Sequence, residues 1–208
     1  MGAWFLGTAG FILYLFYDIN SLKWQNRILH KFFWAGTFCV IISAVWSMTD
    51  TAFENRRLPI VTACGLGGLF FLALLIYTLF FAIPFDETYV EESRGRMACR
   101  EGVYALCRHP GVLWFAGLFL CLWGVTGDRV RGIYFLSMIL WNLLYVVFQD
   151  IWTFPRTFIN YGEYKKTTPF ILPDRKSIRA CFGGKKRDVK DREADRSGAE
   201  RPAEKTEV

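Results

Sequence analysis

Apolar residues in this chain fall in long uninterrupted blocks, not in the 3.6- or 2.0-residue periods of half-buried helices and strands. Five blocks stand out: Ala3–Tyr17, Phe32–Met48, Leu58–Phe85, Pro110–Gly127 and Gly132–Gln149. A helix crosses the hydrocarbon core with about 17–25 mainly apolar residues. By that measure the first block is marginal and the third is long, which predicts a tilt or a break near Gly65-Leu66-Gly67-Gly68. Lipid offers backbone N–H and C=O groups no partner, so such spans are helices. The pattern predicts an all-α, polytopic membrane protein with about five transmembrane helices.

Composition supports this class: 53% of the 208 residues are hydrophobic and 18% aromatic, and the aromatics lie in the spans. The first block has no positive residue ahead of Trp4 and no small-residue cleavage site after it, unlike a secretory signal. The start Met1-Gly2-Ala3-Trp4-Phe5-Leu6 lacks the Ser/Thr of a myristoylation signal. Alternating the connections puts Lys23, Arg27, Lys31, Arg94, Arg96, Arg100, Arg108 and the 14 Lys/Arg of the C-terminal segment on one side. Only Arg56, Arg57, Arg129 and Arg131 fall on the other. The bias places the N-terminus outside and the C-terminus in the cytoplasm.

The net charge of +6 fits a cytoplasmic face against anionic lipid. Nucleic acid is not indicated, because no basic patch is interleaved with aromatics. The six cysteines form no CxxC pair and three lie in apolar runs, so neither a disulfide framework nor a metal site is expected. Residues 1–173 read as one membrane domain. Residues 174–208 read as a charged, disordered cytoplasmic tail, since they are too polar to bury a core.

Candidate chemistry concentrates at Gly102-Val103-Tyr104-Ala105-Leu106-Cys107-Arg108-His109-Pro110, where the fourth span begins. An Arg at mid-membrane costs roughly 2.5–3.5 kcal/mol on insertion scales, so Arg108 and His109 need an interface or a partner. Pro110 suits the first turn of a helix. The fourth and fifth spans form a hairpin joined by residues 126–131, which sets Asp150 at the depth of Arg108 and His109. Beyond Pro155-Arg156, the aromatic and basic segment to Thr168-Pro169 can fold back over the mouth. Each residue also has a plain structural use: Arg108 as an anchor, Asp150 paired with Arg156, Tyr161 and Tyr164 as interfacial aromatics.

Together, Gly102-x-Tyr104-x3-Arg108-His109-Pro110, the hairpin, an acidic residue, and Gly162-Glu163-Tyr164 with Pro169 and Pro173 resemble the isoprenylcysteine carboxyl methyltransferase and phospholipid methyltransferase superfamily. The likeness covers about residues 85–173. It implies S-adenosylmethionine bound at the cytosolic ends of these helices, beneath a C-terminal segment, with a lipid or lipophilic methyl acceptor entering from the membrane. Tyr104, Arg108 and His109 match the cofactor-contacting motif, and Tyr164 and Pro169 the closing segment. Val112 and Trp114 stand where such families carry Tyr and Gly, and Gln149-Asp150 stand for their paired glutamates, which points to a divergent subfamily.

In that reading Arg108 forks onto the cofactor carboxylate. Tyr104, Tyr161 or Tyr164 walls the adenine or sulfonium, and Asp150 holds the amino group or ribose. His109 orients a partner or takes a proton, and Arg156 orients an acidic acceptor or headgroup. Two other readings stay open. One is an NADPH-dependent membrane reductase of the sterol or steroid type, which shares an Arg-His-Pro-type motif but follows its Pro with Asn-Tyr. The other is a non-catalytic membrane protein.

Overall fold

The apolar blocks wind into helices because only a helix satisfies every backbone donor and acceptor within one segment. The computed structural model describes residues 1–49, 58–82 and 97–183, and every regular element among them is helical. The long helices are α1 (Gly2–Ile19), α2 (Phe32–Thr49), α3 (Leu58–Phe80), α5 (Pro110–Thr126) and α6 (Arg129–Phe148). Shorter ones follow the same order: α4 (Val103–Leu106), α7 (Phe154–Thr157), α8 (Tyr161–Thr167) and α9 (Arg175–Phe182).

Among the described residues, four helical stretches are long and apolar enough to cross a membrane: Gly2–Trp24, Leu29–Thr49, Leu58–Phe80 and Arg129–Thr157. The fourth sequence block forms a shorter apolar helix of 17 residues, α5. The first stretch outgrows its apolar block because a π-helical turn, Asn20–Trp24, continues α1. A second π-helical turn, Gln149–Thr153, continues α6 into α7. Of the two alternatives for the third block, a tilt or a break near Gly65–Gly68, the break does not occur, and α3 is continuous. A helical glycine costs about 1 kcal/mol relative to Ala, but an open turn in lipid would strand backbone groups at several kcal/mol each.

The helices pack as a row in which α2 lies on α1, α1 on α6, α6 on α5 and α5 on α3. Small residues set the spacing. A Cβ on Gly10 would meet Gly36 O at 2.9 Å, and one on Gly117 would meet the Phe71 ring at 2.7 Å, so α1–α2 and α3–α5 approach as small-residue interfaces do. At the centre are Phe11, Val40, Phe115, Phe119, Tyr134, Phe135 and Met138. The outward faces stay apolar, with Trp34, Phe38, Ile41 and Trp46 of α2 and Leu66, Leu69 and Phe70 of α3 exposed. Contiguous apolar surface of this extent marks contact with membrane or partner.

Structure continues past residue 173. Asp174 caps α9 through a capping box with Ser177, so residues 175–182 are helical where the composition suggested a disordered tail. The expected disorder from residue 184 onward, and most of the loop before residue 97, fall outside the described residues.

Candidate functional site

The site starts from how the chain enters α5. Gly102 takes φ +56°, a left-handed value that glycine adopts without the usual Cβ penalty, and opens the short α4. Cys107 is extended and His109 is the N-cap, with Pro110 in the first turn. This places Arg108 and His109 together at the mouth of the α5–α6 hairpin. At the same mouth, where α6 ends, the π-helical turn carries Asp150. Such turns insert an extra residue and often mark functional positions.

Asp150 is buried and collects five donors. Arg108 gives Nε to Oδ1 at 2.9 Å and Nη2 to Oδ2 at 3.4 Å. His109 Nε2 lies 3.2 Å from Oδ1, and Tyr161 donates its hydroxyl to Oδ1 at 2.6 Å. Lys165 Nζ reaches Oδ2 at 2.8 Å and also donates to the Asp150 carbonyl at 3.0 Å. The remaining Arg108 nitrogen, Nη1, donates to Thr168 O at 2.8 Å and Lys165 O at 3.2 Å, and its backbone N–H to Pro169 O at 2.9 Å. Arg108 thus fastens the segment after α8 down onto the hairpin.

His109 is sandwiched by aromatics. Its ring stacks on Phe154 at 5.4 Å and 10°, and Phe170 meets it edge-on at 5.2 Å. Burial holds its pKa below the ordinary histidine value, outweighing the opposite pull of Asp150, with Arg108 and Lys165 adding to the lowering. A neutral ring beside an acceptor-only carboxylate carries its proton on Nε2, which leaves Nδ1 as an acceptor. One carboxylate faces two fixed cations, so the cluster has a net positive charge.

The tyrosines tie the surrounding elements together. Tyr164 donates to Tyr104 O at 2.6 Å, and Tyr104 donates to Thr78 O on α3 at 3.0 Å. Burial pushes the Tyr104 phenol up to about 12, and raises Tyr161 and Tyr164 further, so all three stay protonated donors. Asn160 clasps Ala98, accepting its N–H at 2.7 Å. The structure therefore brings Tyr104, Arg108, His109, Asp150, Tyr161 and Tyr164 into one region. Arg156 stands apart: it is exposed, donates to Trp152 O at 2.8 Å and lies over the Trp152 ring at 5.2 Å. The Asp150–Arg156 pair considered from the sequence does not form.

Sequence reasoning missed Lys165, Phe154 and Phe170. Lys165 sits one helical turn after Tyr161, a spacing that puts both on one face. It also missed a second buried carboxylate, Asp18, which is 3% exposed. Asp18 Oδ2 accepts from Gln149 Nε2 at 3.0 Å and Thr153 Oγ1 at 3.3 Å, and Gln149 Nε2 also reaches Tyr145 OH at 2.8 Å. No basic side chain among the described residues pairs with Asp18. An ionisable residue near the end of an apolar helix was the available signal.

The arrangement offers cations for an anionic group, a carboxylate for an ammonium or hydroxyl, and aromatic faces. Comparison with known proteins finds no matching family model, curated protein or solved structure.

Proposed function

We propose that the chain is a membrane-embedded methyltransferase that uses S-adenosylmethionine to methylate a lipid or lipophilic small molecule. The observation that carries this reading is the closure of the Thr168–Pro169 segment on Arg108. It unites the Arg-His-Pro mouth, the hairpin acid and the closing segment, which lie far apart in sequence, as the superfamily resemblance requires. The donor set fits the cofactor. Lys165, whose side chain is 37% exposed, is the more accessible cation for its carboxylate, and Arg108 serves if Asp150 exchanges away. Asp150 accepts from an ammonium or a ribose hydroxyl, while Phe154, Phe170 and Tyr161 offer aromatic surface. When bound, the cofactor supplies a methyl group activated on sulfur. The protein then contributes mainly position, and neutral His109 can take the acceptor's proton at Nδ1. The Lys/Arg bias turns this site to the cytoplasm.

The test is calorimetry on the full chain in detergent, titrating S-adenosylhomocysteine and NADPH in parallel. Lys165→Met is the informative variant, because Arg108 also holds the fold together. Micromolar S-adenosylhomocysteine binding that weakens about tenfold, or ~1.4 kcal/mol, in Lys165→Met supports the proposal, provided the variant still unfolds cooperatively well above the assay temperature. NADPH binding without S-adenosylhomocysteine binding replaces it with the reductase reading. Binding of neither ligand leaves the non-catalytic one.

A further inference from the structure

Helix α9 has three distinct stripes. With ~100° between successive residues, Ser177 and Cys181 share one side, and Ser177 is buried where α9 packs on α4. The next stripe is apolar and uncovered, with Ile178 43% and Phe182 82% exposed and Leu172 just ahead of the helix 79% exposed. Beyond it lie Arg175, Arg179 and Lys176, all exposed. Asp174, the acid that precedes them, is engaged as the N-cap, accepting the Ser177 N–H at 2.7 Å. Eight residues are too few for an isolated helix to hold its shape in water, so its packing partners decide whether it persists.

Its position names the missing partner. Three residues link α4, on which α9 rests, to Pro110, the first residue of α5. The helix therefore lies level with the mouth of the apolar bundle, where a membrane's headgroup layer would meet it. An apolar stripe edged by arginine and lysine is the pattern of helices that lie in that layer, with apolar side chains in the acyl boundary and cations on anionic headgroups. A short way before α9, Pro169 and Thr168 supply the carbonyls that hold Arg108.

We infer that α9 docks on anionic lipid through Arg175, Lys176 and Arg179, with Ile178, Phe182 and Leu172 entering the membrane boundary. This docking holds the 168–173 segment shut over Arg108. The inference rests on the membrane-spanning character of the long helices, not on the methyltransferase reading.

Amide hydrogen exchange on the full chain tests it, in nanodiscs of phosphatidylcholine alone or with about one-third phosphatidylglycerol. The expected result is roughly tenfold slower exchange across 175–182 with phosphatidylglycerol, and slower exchange in 168–172 alongside it. The difference should vanish in about 1 M salt. Arg175→Gln/Lys176→Gln/Arg179→Gln should erase the lipid dependence while leaving the phosphatidylcholine value. Ile178→Ser/Phe182→Ser should speed exchange in both membranes, with α1–α6 protection unchanged as proof of an intact bundle. Equal exchange in the two membranes, or a lipid effect that survives the triple variant, overturns the docking. A lipid effect on 175–182 that leaves 168–172 unmoved overturns the coupling to the closed segment.

Discussion

Asp150 and Asp18 are buried to nearly the same degree, 6% and 3% exposed, and both meet the same π-helical turn, which carries Asp150 and donates to Asp18. Their surroundings differ in kind. Asp150 faces Arg108, Lys165, His109 and Tyr161, drawn from α8 and from the entry to α5. Among the described residues, Asp18 faces neutral donors, Gln149 and Thr153 on that turn and the Tyr145 hydroxyl just before it. A buried charge is tolerated when paired or well hydrogen-bonded, and the protein uses one solution at each carboxylate. The paired carboxylate ties elements from across the sequence. The dipole-bound one joins two helices that already pack.

The largest predicted effect breaks that comparison at its charged end. Asp150→Asn leaves Arg108 and Lys165 without their counter-ion, and losing one partner of a buried pair costs about 3–5 kcal/mol. Thermal unfolding in detergent should show a fall in melting temperature far beyond that of Asp18→Asn. Equal losses at the two positions would mean that the ion pairs do not organise the hairpin mouth. Next in size is Tyr161→Phe, which deletes one hydroxyl donated to the Asp150 carboxylate. Hydrogen bonds to charged groups are worth about 1.5–3 kcal/mol, so this variant should lie between the two aspartate variants on the same assay.

The legibility of the two centres from sequence differs for a physical reason. Arg108, His109 and Asp150 could be brought together because a hairpin fixes both its ends at one depth. The apolar blocks likewise forecast the long helices, since in lipid length and hydropathy leave few other options. Lys165 was hidden because a lysine in a basic stretch reads as solvated, and only the fold of α8 turns it inward. The Arg108 fork was expected to wait for a ligand, but side-chain pairing is not written in the motif, and the fork closes on Asp150. Asp18 lay one residue beyond the apolar block that ended at Tyr17, just ahead of a π-helical continuation with no periodic signature. α9 was obscured by composition, because eight residues with a capping box carry too few apolar positions to shift an average.

The pH response sharpens the comparison further. Unfolded histidine titrates near 6.5, whereas folded His109 resists protonation through burial and the neighbouring Arg108 and Lys165, against the pull of Asp150. Between those two values the unfolded chain binds the extra proton, so stability rises with pH across that window. The His109 contribution is complete above about 6.5 and is lost as pH falls through it, until folded His109 itself protonates. One such group changes stability by at most ~1.4 kcal/mol per pH unit. Melting temperatures from pH 8 to pH 5 should fall on the acid side. His109→Gln, which can keep a donor toward Asp150 without titrating, should flatten that fall. An unchanged slope would assign the acid loss to other groups.

The smallest effect is expected at Asp18. Asp18→Asn removes a charge that no cation among the described residues balances, which favours the variant. It also sets an amide N–H₂ near the donors of Gln149 and Thr153, which opposes it. Gln149 can answer by turning its own amide so that its oxygen faces the introduced N–H₂, and the Thr153 hydroxyl can rotate. The Asn oxygen remains an acceptor, which the Tyr145 hydroxyl can use, and the displaced Gln149 and Thr153 donors have an alternative. The net change should stay within about 1 kcal/mol, the usual worth of a neutral hydrogen bond. Thermal unfolding of the variant beside Asp150→Asn decides the matter. A drop at Asp18→Asn approaching several kcal/mol would show that this carboxylate also has a cation to hold, and the contrast between the two centres would be one of visible partners and not of principle.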